Sequence, residues 1–236
     1  MTSEQKVVGL DIGTQTVAIA SESEVKLVEL ADRVQDIEDE KRKLLRYMDR
    51  SKRATNPGNY NPDGTLKRQG NKKVVLVKSK RYEKALCKLK EMYRKQADIR
   101  EYQHQLLSNR IISLGDTVKV EEMNYKGLQA RAKKTEKNDK GKYKRKKRFG
   151  KSPVNKAPAK LLTLIDNKLK YWDKALVKVD TWEVKASQYN HFDDSFNKKQ
   201  LKERWNDFNG AKVQRDLYSA FLIQHVNDDL KSIDRE

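Results

Sequence analysis

Residues 7–16 read VVGLDIGTQT, and this stretch decides the fold prediction for the whole chain. Because side chains alternate along a strand, Asp11 falls on one face together with Gly9, opposite the apolar residues at even positions. A carboxylate in an otherwise apolar strand is costly unless a cation, a cluster of donors or a metal pairs it. Gly13 permits a tight turn, and TVAIA at residues 16–20 then predicts the returning strand of a hairpin. Taken by itself, Asp11 is equally well explained as a buried, hydrogen-bonded acid at a hairpin end.

The apolar residues of the remaining chain predict alternating strands and helices. A third strand is predicted at residues 24–29, directly after the hairpin. Further strands are predicted at 117–122 and 175–182, and helices, from apolar residues three and four apart, at 31–51, 79–111, 157–172 and 213–230. The segment 185–210 is polar and aromatic with few apolar anchors, which predicts a loop with one short helix near residues 201–205.

The charge balance indicates a polyanionic partner. The chain has 236 residues, 53 of them Lys or Arg against 34 Asp or Glu, for a formal net charge of +19. A balance this basic is typical of nucleic-acid-binding proteins, with an anionic membrane surface as the other candidate. No apolar run approaches the ~18 residues of a membrane span, and no signal peptide precedes Val7, so we expect a cytoplasmic, nucleoid-associated protein and no membrane partner. Cys87 is the single cysteine, which excludes a disulfide framework and a cysteine-based zinc site.

A basic loop is predicted at residues 124–150, ending in KGKYKRKKRFG at 140–150. Charge runs of this kind are usually solvated and disordered. Tyr143 and Phe149 are interleaved with the cations, however, and such mixing favours contact with nucleic acid. The predicted nucleic-acid-binding residues are Arg131, Lys133, Lys134, Lys144, Arg145, Lys146, Lys147 and Arg148.

The order of the predicted elements is that of the ribonuclease-H-like fold, an α/β class with a mixed five-stranded sheet and flanking helices. An antiparallel helical hairpin, at about residues 32–113, is inserted before the fourth strand. This order places Asp11 on the first strand, Glu121 at the end of the fourth and Asp216 on the closing helix. Three neighbouring carboxylates repel one another unless cations lie between them, which predicts two Mg²⁺ or Mn²⁺ ions and phosphodiester hydrolysis. Separately, Glu121 is also explained as an exposed strand-end acid and Asp216 as a first-turn helix acid.

Four segments carry a resemblance to a known family: VVGLDIGTQTVAIAS (7–21), VKVEEMNYKGLQARAKK (118–134), the segment from FGKSPVNK to KVDTW (149–182) and VQRDLYSAFL (213–222). They resemble the RuvC nuclease part of the TnpB (OrfB) family, transposon-encoded, RNA-guided DNA endonucleases long described as transposases. The resemblance covers nearly the whole chain, from about Lys6 to Val226, as one RuvC-like domain. It implies a Mg²⁺-dependent endodeoxyribonuclease in which Asp11, Glu121 and Asp216 hold the ions, with Glu122 at the neighbouring acidic position.

The chain departs from this family in two places. Family members carry a four-cysteine zinc ribbon where this chain has residues 187–210, a segment without cysteine and with His191 as its one histidine. We therefore expect no zinc there, and aromatic packing in its place by Trp182, Phe192, Phe196 and Trp205. The chain also begins almost at the first motif, so the guide RNA that directs the family to DNA is expected to bind a missing or separate N-terminal region.

Two other functions compete with a nuclease. The first is a non-catalytic nucleic-acid-binding remnant, or a partner subunit of a transposition system. The second is an ATPase or sugar kinase of the actin-like group, whose first phosphate-binding turn resembles Asp11-Ile12-Gly13-Thr14. A second glycine-rich phosphate turn is absent from the sequence, and the high positive charge is foreign to that group.

Overall fold

The computed structural model describes residues 6–67, 70, 74–131, 133–144, 152–200, 202–208 and 210–234. Its strands are β1 (Val7–Ile12), β2 (Thr16–Ala20), β3 (Val25–Glu29), β4 (Thr117–Glu121), β5 (Leu176–Val179), β6 (Tyr189–Asn190), β7 (Ser195–Phe196), β8 (Trp205–Phe208) and β9 (Ala211–Gln214). Its helices are α1 (Val34–Thr55), α2 (Lys80–Leu114), α3 (Tyr125–Gln129), α4 (Ser152–Lys156), α5 (Pro158–Tyr171), α6 (Thr181–Val184) and α7 (Arg215–Gln224).

The chain divides into two compact units. The first contains Met1–Ala31 and Tyr102–Glu236, and the second contains Asp32–Glu101. The second unit thus covers most of the hairpin insertion that was predicted at about residues 32–113. Helix α2 contributes its first 22 residues to the second unit and the rest to the first.

A five-stranded mixed sheet with the order β3-β2-β1-β4-β5 organises the first unit. The strands β1, β2 and β3 are joined antiparallel, whereas β4 pairs parallel to β1 and β5 pairs parallel to β4. The mixed α/β sheet predicted from the sequence is therefore confirmed, with its five strands in the predicted chain order. Because β1, β4 and β5 are parallel, their carboxyl ends meet at one end of the sheet.

One face of this sheet carries the main apolar core. Residues of α2 and α5 cover that face, and their burial follows the helical spacing of apolar positions in α5. The fully or almost fully buried members of this core are Val8, Leu10, Ile12, Val17, Ile19, Leu30, Ile111, Val118, Val120, Leu161, Ile165 and Leu169.

Helix α7 covers part of the other face at unusually short range. A Cβ atom added to Gly9 would lie 2.1 Å from the carbonyl oxygen of Ala220, so only glycine fits beneath the helix. Ala18 and Ala20 are fully buried and pack with Ala220. Small side chains on β1 and β2 thus let the backbone of α7 approach the sheet.

The segment before α7 differs from its prediction. The short helix expected near residues 201–205 is wrong: Trp205–Phe208 is a strand, paired antiparallel with Ala211–Gln214. Leu201 lies outside the described residues. The closing helix, predicted from residue 213, begins at Arg215 because Val213 belongs to β9, and it ends at Gln224 rather than at residue 230.

The aromatic packing predicted for this segment is only partly present. Phe192 contacts Phe208, with ring centroids 5.1 Å apart, and Phe196 contacts Tyr189 at 5.0 Å. The four residues expected to pack this segment, however, are mostly exposed, at 83% for Trp182, 64% for Phe192, 53% for Phe196 and 62% for Trp205. The described part of the segment contains two short antiparallel hairpins, β6–β7 and β8–β9. Its Tyr189 is buried in the same apolar cluster as Tyr218 of α7.

The second unit contains α1 and the first part of α2, which run antiparallel. Met48 of α1 packs against Leu89 of α2, and nearer the other end Lys41 donates a hydrogen bond of 2.6 Å to Gln96. Lys41 also forms a 2.5 Å ion pair with Glu38, and all three polar residues are buried. The ion pair lies within α1, and the hydrogen bonds that join Gln96 to Lys41 and Glu38 are polar contacts between the two helices.

Candidate functional site

The parallel pairing of β1 and β4 brings two predicted site residues to the same place. Gly9 lies beside Lys119 and Leu10 beside Val120 in this register, so the next residues, Asp11 and Glu121, are neighbours. Alternation along both strands puts them on one face, the face that α7 covers. They lie where the strands end, close to the carboxyl end of β5.

The close approach of α7 brings the third predicted residue to this end of the sheet. Asp216 lies in the first turn of α7, four residues before Ala220, and therefore on the same side of the helix. Ala220 lies against Gly9, together with Gln224 one turn further along α7. The side chain of Gln214 caps the helix by accepting a 2.8 Å hydrogen bond from the amide of Leu217, which fixes where the first turn begins.

The electrostatic state of Asp11 records the proximity of all three acids. The pKa of Asp11 is raised to about 8, mainly by burial and then by the negative charges of Glu121 and Asp216. Arg215 and the Ser219 hydroxyl act in the opposite direction, but more weakly. A proton, or a cation in its place, is therefore favoured at this carboxylate near neutral pH.

Glu121 has one oxygen without a hydrogen-bond partner among the residues that the structure describes. This oxygen, Oε1, is buried, whereas the backbone amide of Ala186 donates to the same carboxylate. Burial raises the pKa of Glu121, and the Ala186 amide partly offsets that shift. A buried carboxylate oxygen that is left unpaired is costly, and such atoms recur at ligand sites.

Asp216 is surrounded by donors. Gln214 donates a 3.1 Å hydrogen bond to its Oδ2 atom, and Arg204 lies 3.6 Å from the same oxygen. Arg215 lies 3.6 Å from the other oxygen, Oδ1. Two guanidinium groups therefore partly neutralise this acid.

Tyr125 is a neighbour that the sequence did not single out. Its hydroxyl donates a 2.9 Å hydrogen bond to the backbone carbonyl of Ile12, the residue after Asp11. Burial raises the pKa of Tyr125, and the charges of Asp11 and Glu121 add to that rise. Its place four residues after Glu121, as the first aromatic residue to follow the strand, is the signal that could have found it. Arg204 gave no comparable signal because it is distant from Asp216 in the sequence.

The donor set fits a hard divalent cation. Carboxylate oxygens are the ligands that Mg²⁺ and Mn²⁺ prefer, and a cation would satisfy both the unpaired Glu121 oxygen and the repulsion on Asp11. Among the residues that the structure describes, no three His, Cys, Asp or Glu side chains are grouped tightly enough to hold one ion. Asp11, Glu121 and Asp216 thus share one electrostatic environment without forming a closed set of ligands.

The predicted basic loop is exposed where the structure describes it. Arg131, Lys133, Lys134 and Lys144 are all exposed, and Lys144 lies 3.3 Å from Glu136. Tyr143, 71% exposed, has the ammonium of Lys137 5.2 Å from its ring centre. The other predicted contacts lie outside the described residues, and they are Arg145, Lys146, Lys147 and Arg148.

Comparison with known proteins assigns no family: no family model matches this chain, and the search of curated proteins gave no match. None of the helices in the described ranges combines the length and the apolar character that crossing a bilayer needs.

Proposed function

We propose that this chain is a metal-dependent DNA endonuclease core, built on a ribonuclease-H-like (RuvC-type) sheet. The observation that carries the proposal is the pairing of β1 with β4, which makes Asp11 and Glu121 neighbours on the face that α7 covers, with Asp216 in the first turn of α7. The raised pKa of Asp11, which has Glu121 and Asp216 among its causes, agrees with this placement. Three acids from β1, β4 and α7 therefore act on one another, although they are distant in the sequence. The sheet order and the resemblance to the TnpB family support the same function.

Asp11, Glu121 and Asp216 are the residues that would hold Mg²⁺ or Mn²⁺. When bound, such ions supply an activated water molecule and neutralise charge on a phosphodiester. The unpaired Oε1 atom of Glu121 is a ligand atom available without breaking a hydrogen bond. Tyr125 holds the backbone next to Asp11, which restricts the position of that carboxylate.

Arg204 and Arg215 have a separate part in this proposal. They neutralise Asp216 when no cation is near, and both lie 3.6 Å from it. Guanidinium groups also pair well with phosphate oxygens. A nucleic-acid phosphate that enters the site would therefore meet two cations already placed at its edge.

The test is cleavage of single-stranded DNA in Mg²⁺ or Mn²⁺ by the wild type and by Asp11→Asn, Glu121→Gln and Asp216→Asn. Each change should lower the cleavage rate by at least about 10³-fold, equivalent to about 4 kcal/mol of barrier, while DNA binding persists. Glu122→Gln is the matched control, because it makes the same change one residue away in an exposed side chain. If cleavage persists in all three site variants, the proposal is wrong. If only Glu122→Gln abolishes cleavage, the catalytic site includes Glu122 instead.

The resemblance alone supports a guide RNA as partner. A guide would choose the DNA sequence by base pairing, leaving this chain to cut. Cleavage should then become sequence-dependent when a guide-binding protein region and its RNA are added. Unchanged, sequence-independent cleavage would contradict that part of the proposal.

A non-catalytic nucleic-acid-binding module is the second candidate. It is favoured by the engagement of Asp216 with Gln214, Arg204 and Arg215, which competes with metal binding. Its signature would be DNA binding that weakens steeply with salt, with no cleavage in either metal. If the wild type did not cleave DNA but the Arg204→Ala variant did, a non-catalytic module would be excluded.

A further inference from the structure

All three tryptophans of this chain are exposed to solvent. The exposed fractions are 64% for Trp172, 83% for Trp182 and 62% for Trp205. Tryptophan is highly buried on average in folded proteins, since its large apolar ring gains most from leaving water. Exposure alone does not imply a ligand, so the position of each tryptophan in the fold decides whether a ligand of the carboxylate site would cover it.

Trp182 belongs to a short helix that is built onto the Glu121 end of the sheet. Asp180 accepts a 2.8 Å hydrogen bond from the Trp182 amide, directly after β5. Thr181 donates a 3.0 Å hydrogen bond to the carbonyl of Glu122. The amide of Ala186, just beyond this helix, donates to the Glu121 carboxylate. Trp182 is therefore held at the rim of the carboxylate site through Glu121 and its neighbour.

Trp205 is held at the same site through Asp216. It pairs with Gln214 across the β8–β9 hairpin, and the side chain of Gln214 donates to Asp216. The preceding residue, Arg204, forms the 3.6 Å ion pair with Asp216. The two exposed tryptophans thus belong to the two segments that are hydrogen-bonded to the carboxylate cluster, one through Glu121 and one through Asp216.

We propose that Trp182 and Trp205 are stacking sites for unpaired nucleobases on either side of the phosphate that reaches the carboxylates. An unpaired base offers a flat apolar face that matches the exposed indole, and this stacking tolerates any base. The net charge of +19 and the exposed Arg204 complement the phosphates that link the bases. The inference rests on the proposed nucleic-acid function, and it makes single-stranded rather than duplex DNA the preferred substrate.

Trp172 is the internal control. It follows α5 and precedes β5, whereas the carboxylates lie where β4 and β5 end. The length of β4, roughly 13 Å at 3.3 Å per residue, separates the two ends of the sheet. Trp172 is as exposed as Trp205, so exposure alone does not distinguish it.

The experiment uses three variants of the 236-residue chain, each keeping one tryptophan and carrying Phe at the other two. Each is titrated with oligothymidylate in EDTA, and binding is measured separately by the anisotropy of labelled DNA. Quenching is expected for the proteins that keep Trp182 or Trp205, and none for the protein that keeps Trp172. An abasic oligonucleotide should bind but leave all three emissions unchanged. In the wild-type background, Trp182→Ala and Trp205→Ala should each weaken binding about 10-fold, and Trp172→Ala should not.

Several outcomes overturn the inference: equal quenching of all three tryptophans, bound DNA without quenching at residues 182 and 205, or quenching by the abasic strand. Because EDTA prevents metal-dependent cleavage, the result is independent of catalysis. Quenching at both sites without cleavage in Mg²⁺ would support stacking and contradict the nuclease. Cleavage without quenching would do the reverse.

Discussion

The two faces of the five-stranded sheet are made from different kinds of residue. On β1, β2 and β4 the face towards α2 and α5 is apolar, with Val8, Leu10 and Val120 almost completely buried. On the same strands, the face towards α7 carries Gly9, Asp11 and Glu121. Since the residues alternate along each strand, one set of backbone hydrogen bonds supports both faces.

The difference separates stability from chemistry. Burying apolar side chains stabilises the folded state by about 25 cal/mol per Å² removed from water. The face towards α2 and α5 carries the largest buried apolar cluster, so it gains most of this stabilisation. The face towards α7 has small side chains, so the helix can approach it closely. It also holds acidic side chains, and removing their charges from water costs free energy. We therefore expect changes on the apolar face to affect unfolding, and changes on the α7 face to affect pH and metal responses.

The pH dependence of stability should separate the faces most strongly. The pKa of Asp11 is about 8 in the folded protein, against an ordinary value of 3.8 for an aspartate in water. Between these values the folded state keeps a proton that the unfolded state has lost, so the free energy of unfolding falls as pH rises from about 4 to 8. Each pKa unit contributes about 1.4 kcal/mol. Asp11→Asn should remove this part of the slope in urea unfolding measured across that range without metal.

The comparison with added metal checks the cause. Mg²⁺ should raise the stability of the wild type at pH 8 more than at pH 5, because a cation then replaces the proton. Asp11→Asn should respond less to Mg²⁺ at either pH. A wild-type slope that Asp11→Asn leaves unchanged would contradict the raised pKa.

A cavity in the apolar face should give the next largest effect. Ile165 of α5 is completely buried, and Ile165→Ala should lower the free energy of unfolding by about 2–5 kcal/mol. At a temperature where the variant is still folded, its Mg²⁺-dependent cleavage rate should match the wild type. A cleavage rate that falls in proportion to the lost stability would show that the faces are not separable.

A substitution at Gly9, where α7 lies against the sheet, should affect stability less and cleavage more. Gly9→Ala forces a Cβ to within 2.1 Å of a backbone oxygen, so α7 must shift. Such overpacking costs about 1–3 kcal/mol, less than the Ile165 cavity, yet cleavage should be lost because Asp216 moves with the helix. Gly58→Ala is the matched control, since a Cβ there meets no atom within 4 Å. Wild-type cleavage by Gly9→Ala would contradict the placement of Asp216.

Much of the sheet could be predicted because its residues alternate in polarity. The hairpin from Gly9 through Gly13, and the strand that ends at Glu121, follow from patterns of period two. The order of elements also placed Asp216 on the closing helix, although the predicted helix start at residue 213 is two residues too early. Strand β9 takes Val213 because its pairing with β8 outweighs the apolar spacing that favoured helix.

The region before α7 could not be predicted from apolar spacing alone. Leu201 and Trp205 are four apart, which is typical of a helix, but Trp205 begins a strand. The dipeptide Asn209-Gly210 between β8 and β9 is a strong hairpin signal, and Gly210 has φ +92°. The contacts of Arg204 and Arg215 with Asp216 depend on that hairpin, so they lay beyond what a pattern of single residues indicates.

Tyr125 connects the two faces, and its hydroxyl gives the smallest and most local test. The ring belongs to the apolar core, whereas the pKa of its hydroxyl is raised by burial and by the acids of the other face. Tyr125→Phe removes the hydrogen bond to the Ile12 carbonyl and should cost about 1 kcal/mol in urea unfolding. Because that bond restrains the backbone beside Asp11, the Mg²⁺ concentration for half-maximal cleavage should rise. Tyr143→Phe makes the same change at a 71% exposed ring and should alter neither quantity. Equal effects of the two substitutions would mean that Tyr125 only fills the core and does not position Asp11.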